Sequence, residues 1–256
     1  MVVHLPSVTV SGGLEMAPAL PPSADDPSAH LWPAGLRIVI PQTCIFDMDG
    51  VLVDSGVWHR AAWAALLEEL GAEPPRPDYW RLTIGRPSEE AIPLLLGRAV
   101  PDWEANRIAR RKRDLYVGFS RQGMRAVPGA PTFVADLARR GVPRAVGTSA
   151  SSWDVDNILA GLGLRRHFAV VVTADDVSFG KPDPEVYVLA ARRLHADPAG
   201  CIVFEDSVVG IHAALAAGMR AIGVATAYDE AELRAAGAER VVNDFQGLAW
   251  DSIANP

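Results

Sequence analysis

The stretch CIFDMDGVLVDS, residues 44–55, decides how this chain is read. An apolar run closes on Asp47, Asp49 follows two residues later, and Gly50 comes directly after it. A strand that ends there leaves both carboxylates beside a loop. In that setting one carboxylate can attack phosphorus while its neighbour moves a proton. Gly50 lets the chain turn and brings its amides close to a phosphate. The pattern points to phosphoryl transfer. Asp47 is the candidate nucleophile, carrying an aspartyl phosphate, and Asp49 is the candidate acid for the leaving oxygen and then base for water. The plainer alternative is a pair of acids that cap the next turn. Asp54 reads as a local cap or hinge.

Outward from this stretch, helical and strand patterns alternate. After the strand formed by RIVI (37–40) and CIFDMD (44–49) come PTFVADLARRG (131–141, helix), VPRAVGTS (142–149, strand) and SWDVDNILAGLG (152–163, helix). They are followed by FAVVVTADD (168–176, strand), PEVYVLAARRLH (184–195, helix), CIVFED (201–206, strand), SVVGIHAALAAG (207–218, helix) and RAIGVAT (220–226, strand). Alternation with Val- and Ile-rich strands predicts an α/β fold, a doubly wound parallel sheet with helices on both faces. Residues 56–127 break the rhythm. VWHRAAWAALLEELG (57–71), PSEEAIPLLLGRAV (87–100) and WEANRIARRKRDLYVGFSRQG (103–123) carry helical periodicity and no convincing strand. Bounded by Ser55 and the Pro128-Gly129 turn, this block reads as an inserted helical cap domain on a core made of 37–55 and 128–256.

The chain has 256 residues, of which 49% are hydrophobic and 21% charged, as expected of a globular enzyme able to build a core without staples. A formal net charge of −7 gives no electrostatic footprint for nucleic acid or an anionic membrane and leaves a small molecule as the expected partner. No apolar run is long enough to span a bilayer. The two cysteines, Cys44 and Cys201, each open an apolar run and are expected to be buried strand residues, consistent with a reducing cytoplasm. Residues 1–36 contain no Lys or Arg, unlike a secretory or transit peptide, and their Pro, Ser, Ala and Gly content predicts a disordered leader, with Met16 a second candidate start. The oligomeric expectation is a monomer or a small homo-oligomer.

Three more features fall at expected strand ends, where ligands of open parallel sheets collect. Thr148 and Ser149 offer a hydroxyl and a backbone amide for a transferring phosphoryl group, although Ser and Thr are also common helix N-caps. Lys181, in FGKPDP, offers a cation to offset Asp47 and phosphate, although a loop lysine is usually solvated. Glu205 and Asp206 close a hydrophobic strand, where an unpaired carboxylate is strongly disfavoured. Mg²⁺ would supply the missing charge, held by Asp47, the Asp49 carbonyl and Asp206, with Glu205 acting through water. Such an ion would also screen an anionic nucleophile from an anionic substrate.

Taken together, FDMDGVLVDS (46–55), VGTSAS (146–151), GKPDPEVY (180–187) and FEDSVVGIHAALAAGM (204–219) resemble the four motifs of the haloacid dehalogenase superfamily, in the β-phosphoglucomutase-like branch of phosphatases and mutases. The resemblance spans residues 44 to 226. It implies a Rossmann-like core, a helical cap between the first two motifs, Mg²⁺ dependence and the roles given above. Asp49 disfavours dehalogenase chemistry, because those relatives lack the second acid. Phosphonatase is disfavoured because no lysine precedes Lys112 in the cap to form a Schiff base. Mutase relatives usually carry an arginine three residues past the cap-loop glycine and a lysine three past the motif-two hydroxyl. Counting from Gly85 and Thr148 gives Ser88 and Ser151 here. Arg86 remains as a candidate substrate contact. His59 stands where mutases and sugar phosphatases often have a histidine that gates the proton-transferring aspartate. Trp58, Trp63, Trp80 and Trp103 are expected mostly to pack the cap helices, with one facing a sugar-sized substrate. The leading expectation is a Mg²⁺-dependent phosphatase of a small sugar or polyol phosphate. A phosphosugar mutase is second, and a non-catalytic phosphometabolite-binding protein third.

Overall fold

Strand β1 (Thr43–Phe46) is buried along its whole length, and the sheet is built outward from it. The computed structural model describes residues 42–121 and 123–254, so the leader 1–36 and the expected strand RIVI lie outside the described residues. In chain order β1 is followed by helices α1 (Gly56–Glu69), α2 (Ser88–Leu96), α3 (Asp102–Ser120) and α4 (Ala130–Arg139). Then come β2 (Arg144–Gly147), α5 (Ser152–Gly161), β3 (Val170–Val172), α6 (Glu185–Arg193), β4 (Cys201–Glu205) and α7 (Val208–Ala216). The chain closes with β5 (Arg220–Val224), α8 (Glu230–Ala235), β6 (Arg240–Val242) and α9 (Asp251–Ala254).

The six strands are parallel in the order β3-β2-β1-β4-β5-β6. Strand order reverses at β1, the place where open α/β sheets bind ligands. Alternation along the strands feeds two cores. Cys44, Phe46, Ile202 and Phe204 pack with Phe133, Val155 and Ile253 on one face. Ile45, Cys201 and Val203 pack with Tyr187, Ile211 and Leu233 on the other. Phe46 and Phe204 stack across the β1–β4 pair with ring centroids 5.0 Å apart. Both cysteines are buried and free, and their side chains enter opposite cores.

The helices between β1 and β2 have a small core of their own, made of Trp63, Leu66, Ile92, Leu95 and Ile108. Sequence and structure differ at two places. The expected strand 168–176 is cut to Val170–Val172, because Thr173 and Asp176 form a reciprocal capping box around a 3₁₀ turn at Ala174–Asp176. Strand β6 and helices α8 and α9, all beyond residue 226, were not anticipated. No helix among the described residues is long and apolar enough to cross a membrane.

Candidate active site

The parallel sheet delivers its strand ends to one side, and the residues singled out in the sequence arrive there. Asp47 follows β1, Thr148 follows β2, Glu205 ends β4 with Asp206 next, and Lys181 sits on the loop between β3 and α6. Asp47, Thr148, Lys181 and Asp206 line a cavity of about 420 Å³, with Gly50, Ser149, His59 and Arg86 also in its wall. That size suits a small metabolite.

Lys181 is the electrostatic centre, 1% exposed. Its Nζ donates to Asp47 Oδ1 at 2.8 Å, Glu205 Oε1 at 2.6 Å and the Gly147 carbonyl at 3.3 Å. Burial would depress the ammonium, but the fields of Asp47 and Glu205 outweigh it and hold it above its ordinary value. Glu205 also accepts from Tyr187 Oη at 2.8 Å, and from the Ser207 amide and hydroxyl at 2.8 Å each. Its two oxygens therefore take four protein donors, which compete with the expected water-mediated metal contact. For Asp47, burial outweighs Lys181 and raises the carboxyl to about 7.

Asp206 carries the strongest hint of an ion. It is buried, makes only a 3.5 Å contact from Thr226 Oγ1, and has no salt-bridge partner among the described residues. Burial first, then Glu205 and Asp47, push it well above the ordinary carboxylate range. One oxygen each from Asp47, Glu205 and Asp206 lie within 4.8 Å of one another. An all-oxygen, carboxylate-rich set with a single ammonium against three acids fits a hard divalent cation such as Mg²⁺. Gly50 explains how tightly this corner is built. Its φ is +75°, and a Cβ there would lie 1.8 Å from Asp206 Oδ2.

Asp49 is held by a second network. Oδ1 accepts from Ser55 Oγ at 2.5 Å and meets His59 Nε2 at 3.2 Å, while Lys112 Nζ lies 2.7 Å from His59 Nδ1. An ammonium can only donate, so Nδ1 accepts and Nε2 carries the hydrogen given to Asp49. Burial would raise Asp49, but His59, Ser55 and Lys112 outweigh it and lower its pKa. Lys112 is 7% exposed, and burial depresses its ammonium to about 8. Sequence reading missed Lys112 as a site residue, together with Tyr116, which stacks on the His59 ring with centroids 4.3 Å apart. The sequence shows only their i, i+4 spacing on one face of α3, and the packing of that helix decides which way the face turns.

The helices between β1 and β2 supply part of the cavity wall. Ser149 Oγ donates to the Gly85 carbonyl at 2.9 Å, and Arg81 makes a two-pronged pair with Glu232 at 2.5 and 3.2 Å. Gly85 has a φ of +74°, and a Cβ there would lie 2.5 Å from Ser207 Oγ. Thr148 is buried, and its Oγ1 accepts from the Ala150 amide at 3.1 Å. Ser151 caps α5, accepting from Asp154 N. Trp63 and Trp80 line the cavity, Trp58 packs against the main core, and Trp103 is 68% exposed.

With this geometry in hand, residues 44–224 match the family described as haloacid dehalogenase-like hydrolase. The chain is 35% identical over 180 residues to a fructose-1-phosphate phosphatase of Escherichia coli, covering 70% of this chain and 94% of that protein. It is 32% identical over 187 residues to a β-phosphoglucomutase of Bacillus subtilis, covering 70% of this chain and 81% of that protein. A solved hydrolase structure from Pseudomonas syringae superposes with a TM-score of 0.74 at 30% identity, covering 80% of this chain and 94% of that one. The chain belongs to the haloacid dehalogenase-like hydrolase family.

Proposed function

We propose that the protein is a Mg²⁺-dependent phosphatase that hydrolyses a small sugar or polyol monophosphate. The observation that carries this is the meeting of Asp47, Thr148, Lys181 and Asp206 in one cavity at the sheet's carboxyl edge. Asp47 Oδ1 is bonded to Lys181, which leaves Oδ2 to form the bond to phosphorus as the bond from phosphorus to the leaving oxygen breaks. Asp49 gives its proton to that leaving oxygen. That proton is taken up from solvent before the cap closes, because the negative charge of the entering phosphate offsets the Lys112 ammonium and raises Asp49. The freed Asp49 carboxylate then takes a proton from the water that attacks the aspartyl phosphate, releasing Asp47 and inorganic phosphate. His59, fixed by Lys112, aims Asp49. Lys181 and the Thr148–Ser149 turn hold the phosphoryl oxygens, Gly50 admits them to the backbone, and Glu205 anchors Lys181. Mg²⁺ held by Asp47, Asp206 and the Asp49 carbonyl would screen the repulsion between nucleophile and substrate.

The helical block between Ser55 and Pro128 acts as a cap over the sheet core, keeping bulk water from the reacting phosphate. A phosphosugar mutase is the second reading, favoured by the β-phosphoglucomutase relative. Against it, Ser88 and Ser151 stand where that chemistry's second phosphate would find cations, and Ser151 is engaged as a helix cap. The test is phosphate release from a panel of hexose, pentose and polyol monophosphates, fructose 1-phosphate included, with Mg²⁺ and then with EDTA. Release that EDTA abolishes is expected. Isomer formation without release would replace this reading with the mutase, and binding without turnover would replace both with a sensor.

A further inference from the structure

Tyr116 lies one helical turn after Lys112 on α3 and lines the cavity. It is 4% exposed, and its ring lies 25° from parallel to the His59 imidazole. Its phenolic oxygen is buried and has no hydrogen-bond partner among the described residues. Burial pushes the phenol's pKa upward, so the group stays a neutral O–H that can donate and accept.

The surroundings account for the ring and leave the hydroxyl unexplained. Stacking on His59, and the Lys112 ammonium 5.3 Å from the ring centroid, would be met equally well by phenylalanine. A buried hydroxyl without a partner destabilises the folded chain. Such a group is tolerated where a ligand completes it. The direction of the network says which part of the ligand does so. Lys181 and Asp47 fix the phosphate end, while Asp49, which serves the leaving oxygen, is linked to His59, and His59 is covered by Tyr116. The carbon skeleton of the leaving group therefore belongs beside Tyr116.

We propose that the Tyr116 hydroxyl is a substrate contact, hydrogen-bonded to a hydroxyl of the sugar or polyol part of a monophosphate held in the cavity. This rests on the phosphatase reading above. The test is Tyr116→Phe in the full chain, measured by thermal unfolding without substrate and by steady-state kinetics with Mg²⁺. Two probes are used: the hexose monophosphate hydrolysed fastest in the panel, and 4-nitrophenyl phosphate, whose leaving group carries no hydroxyl. The variant is expected to unfold at the same or a higher temperature. Its kcat/KM for the hexose phosphate should fall about tenfold, with 4-nitrophenyl phosphate within about twofold of wild type. A lower unfolding temperature, an equal loss on both probes or no loss on either would overturn the proposal, the first two by showing that the hydroxyl supports the protein or His59 instead. If the wild type hydrolyses neither probe, the phosphatase reading itself fails, and the unfolding comparison still decides whether the hydroxyl is unpartnered in the free protein.

Discussion

Replacing Lys181 with methionine removes the one cation bonded to Asp47 and Glu205 among the described residues while keeping the side chain's length. The ammonium is 1% exposed and donates at 2.8 Å to Asp47, at 2.6 Å to Glu205 and at 3.3 Å to Gly147. Breaking a buried pair by deleting one partner costs about 3–5 kcal/mol. In a protein of this size each kcal/mol moves Tm by about 2–4 °C, so a loss on the order of 10 °C is expected. The deficit should depend on pH. Asp47 is raised from 3.8 to about 7 with Lys181 present, and losing the ammonium raises it further. A carboxyl with a raised folded-state pKa binds more protons folded than unfolded. Its contribution to stability is complete below its unfolded value near 3.8 and is lost as pH rises through the folded value. The deficit of Lys181→Met is therefore widest above pH 7 and shrinks toward pH 5. Thermal unfolding followed by circular dichroism in EDTA across this window measures it. A variant as stable as wild type at pH 8, or a deficit that grows on acidification, would refute the charge-balancing role of Lys181.

Lys112→Met should separate stability from activity. Because burial lowers Lys112 from 10.5 to about 8, the unfolded chain binds the extra proton between those values, so wild-type stability rises with pH across that window. The methionine variant should lose this slope and gain up to about 3 kcal/mol below pH 8, while kcat falls because His59 and Asp49 lose their anchor. Denaturant melts at pH 7 and pH 10 beside kcat at pH 7 check both halves. Gly50→Ala forces a Cβ to 1.8 Å from Asp206 Oδ2 in a backbone of positive φ, and activity should drop about a hundredfold with displacement of that carboxylate. Titration of Mg²⁺ against activity should show weaker apparent binding. Arg81→Ala breaks the two-pronged pair with Glu232 between the helical block and α8. It should cost less than about 1 kcal/mol of stability, as partly exposed pairs do, and raise KM more than it lowers kcat.

The sheet-edge half of the candidate site was legible because each residue closes or follows an apolar run, and a parallel sheet sends all such ends to one side. Asp47, Thr148, Glu205 and Asp206 are of this kind. Lys181 lies in a loop and was found through its motif, and its 1% exposure overturns the solvated alternative. The half supplied by the helices between β1 and β2 was not legible for Lys112 and Tyr116. Lys112 stands among Arg110, Arg111 and Arg113, where a lysine reads as one more solvated charge. Only the packing of α3 against α1 reveals that this lysine turns inward, to a histidine 53 residues earlier. Strand β6 escaped notice because three residues, the first of them exposed Arg240, carry too little periodicity to register.

In the proposed mechanism Asp47 itself carries the phosphoryl group. Rapid quenching of enzyme with Mg²⁺ and the best phosphate ester, followed by borohydride reduction and peptide mapping, tests it directly, because an acyl phosphate at this position is reduced to homoserine. Homoserine at residue 47 is expected, absent when substrate is omitted and absent in Asp47→Asn. Continued turnover by Asp47→Asn near the wild-type rate, or a phosphorylated residue elsewhere, would contradict it.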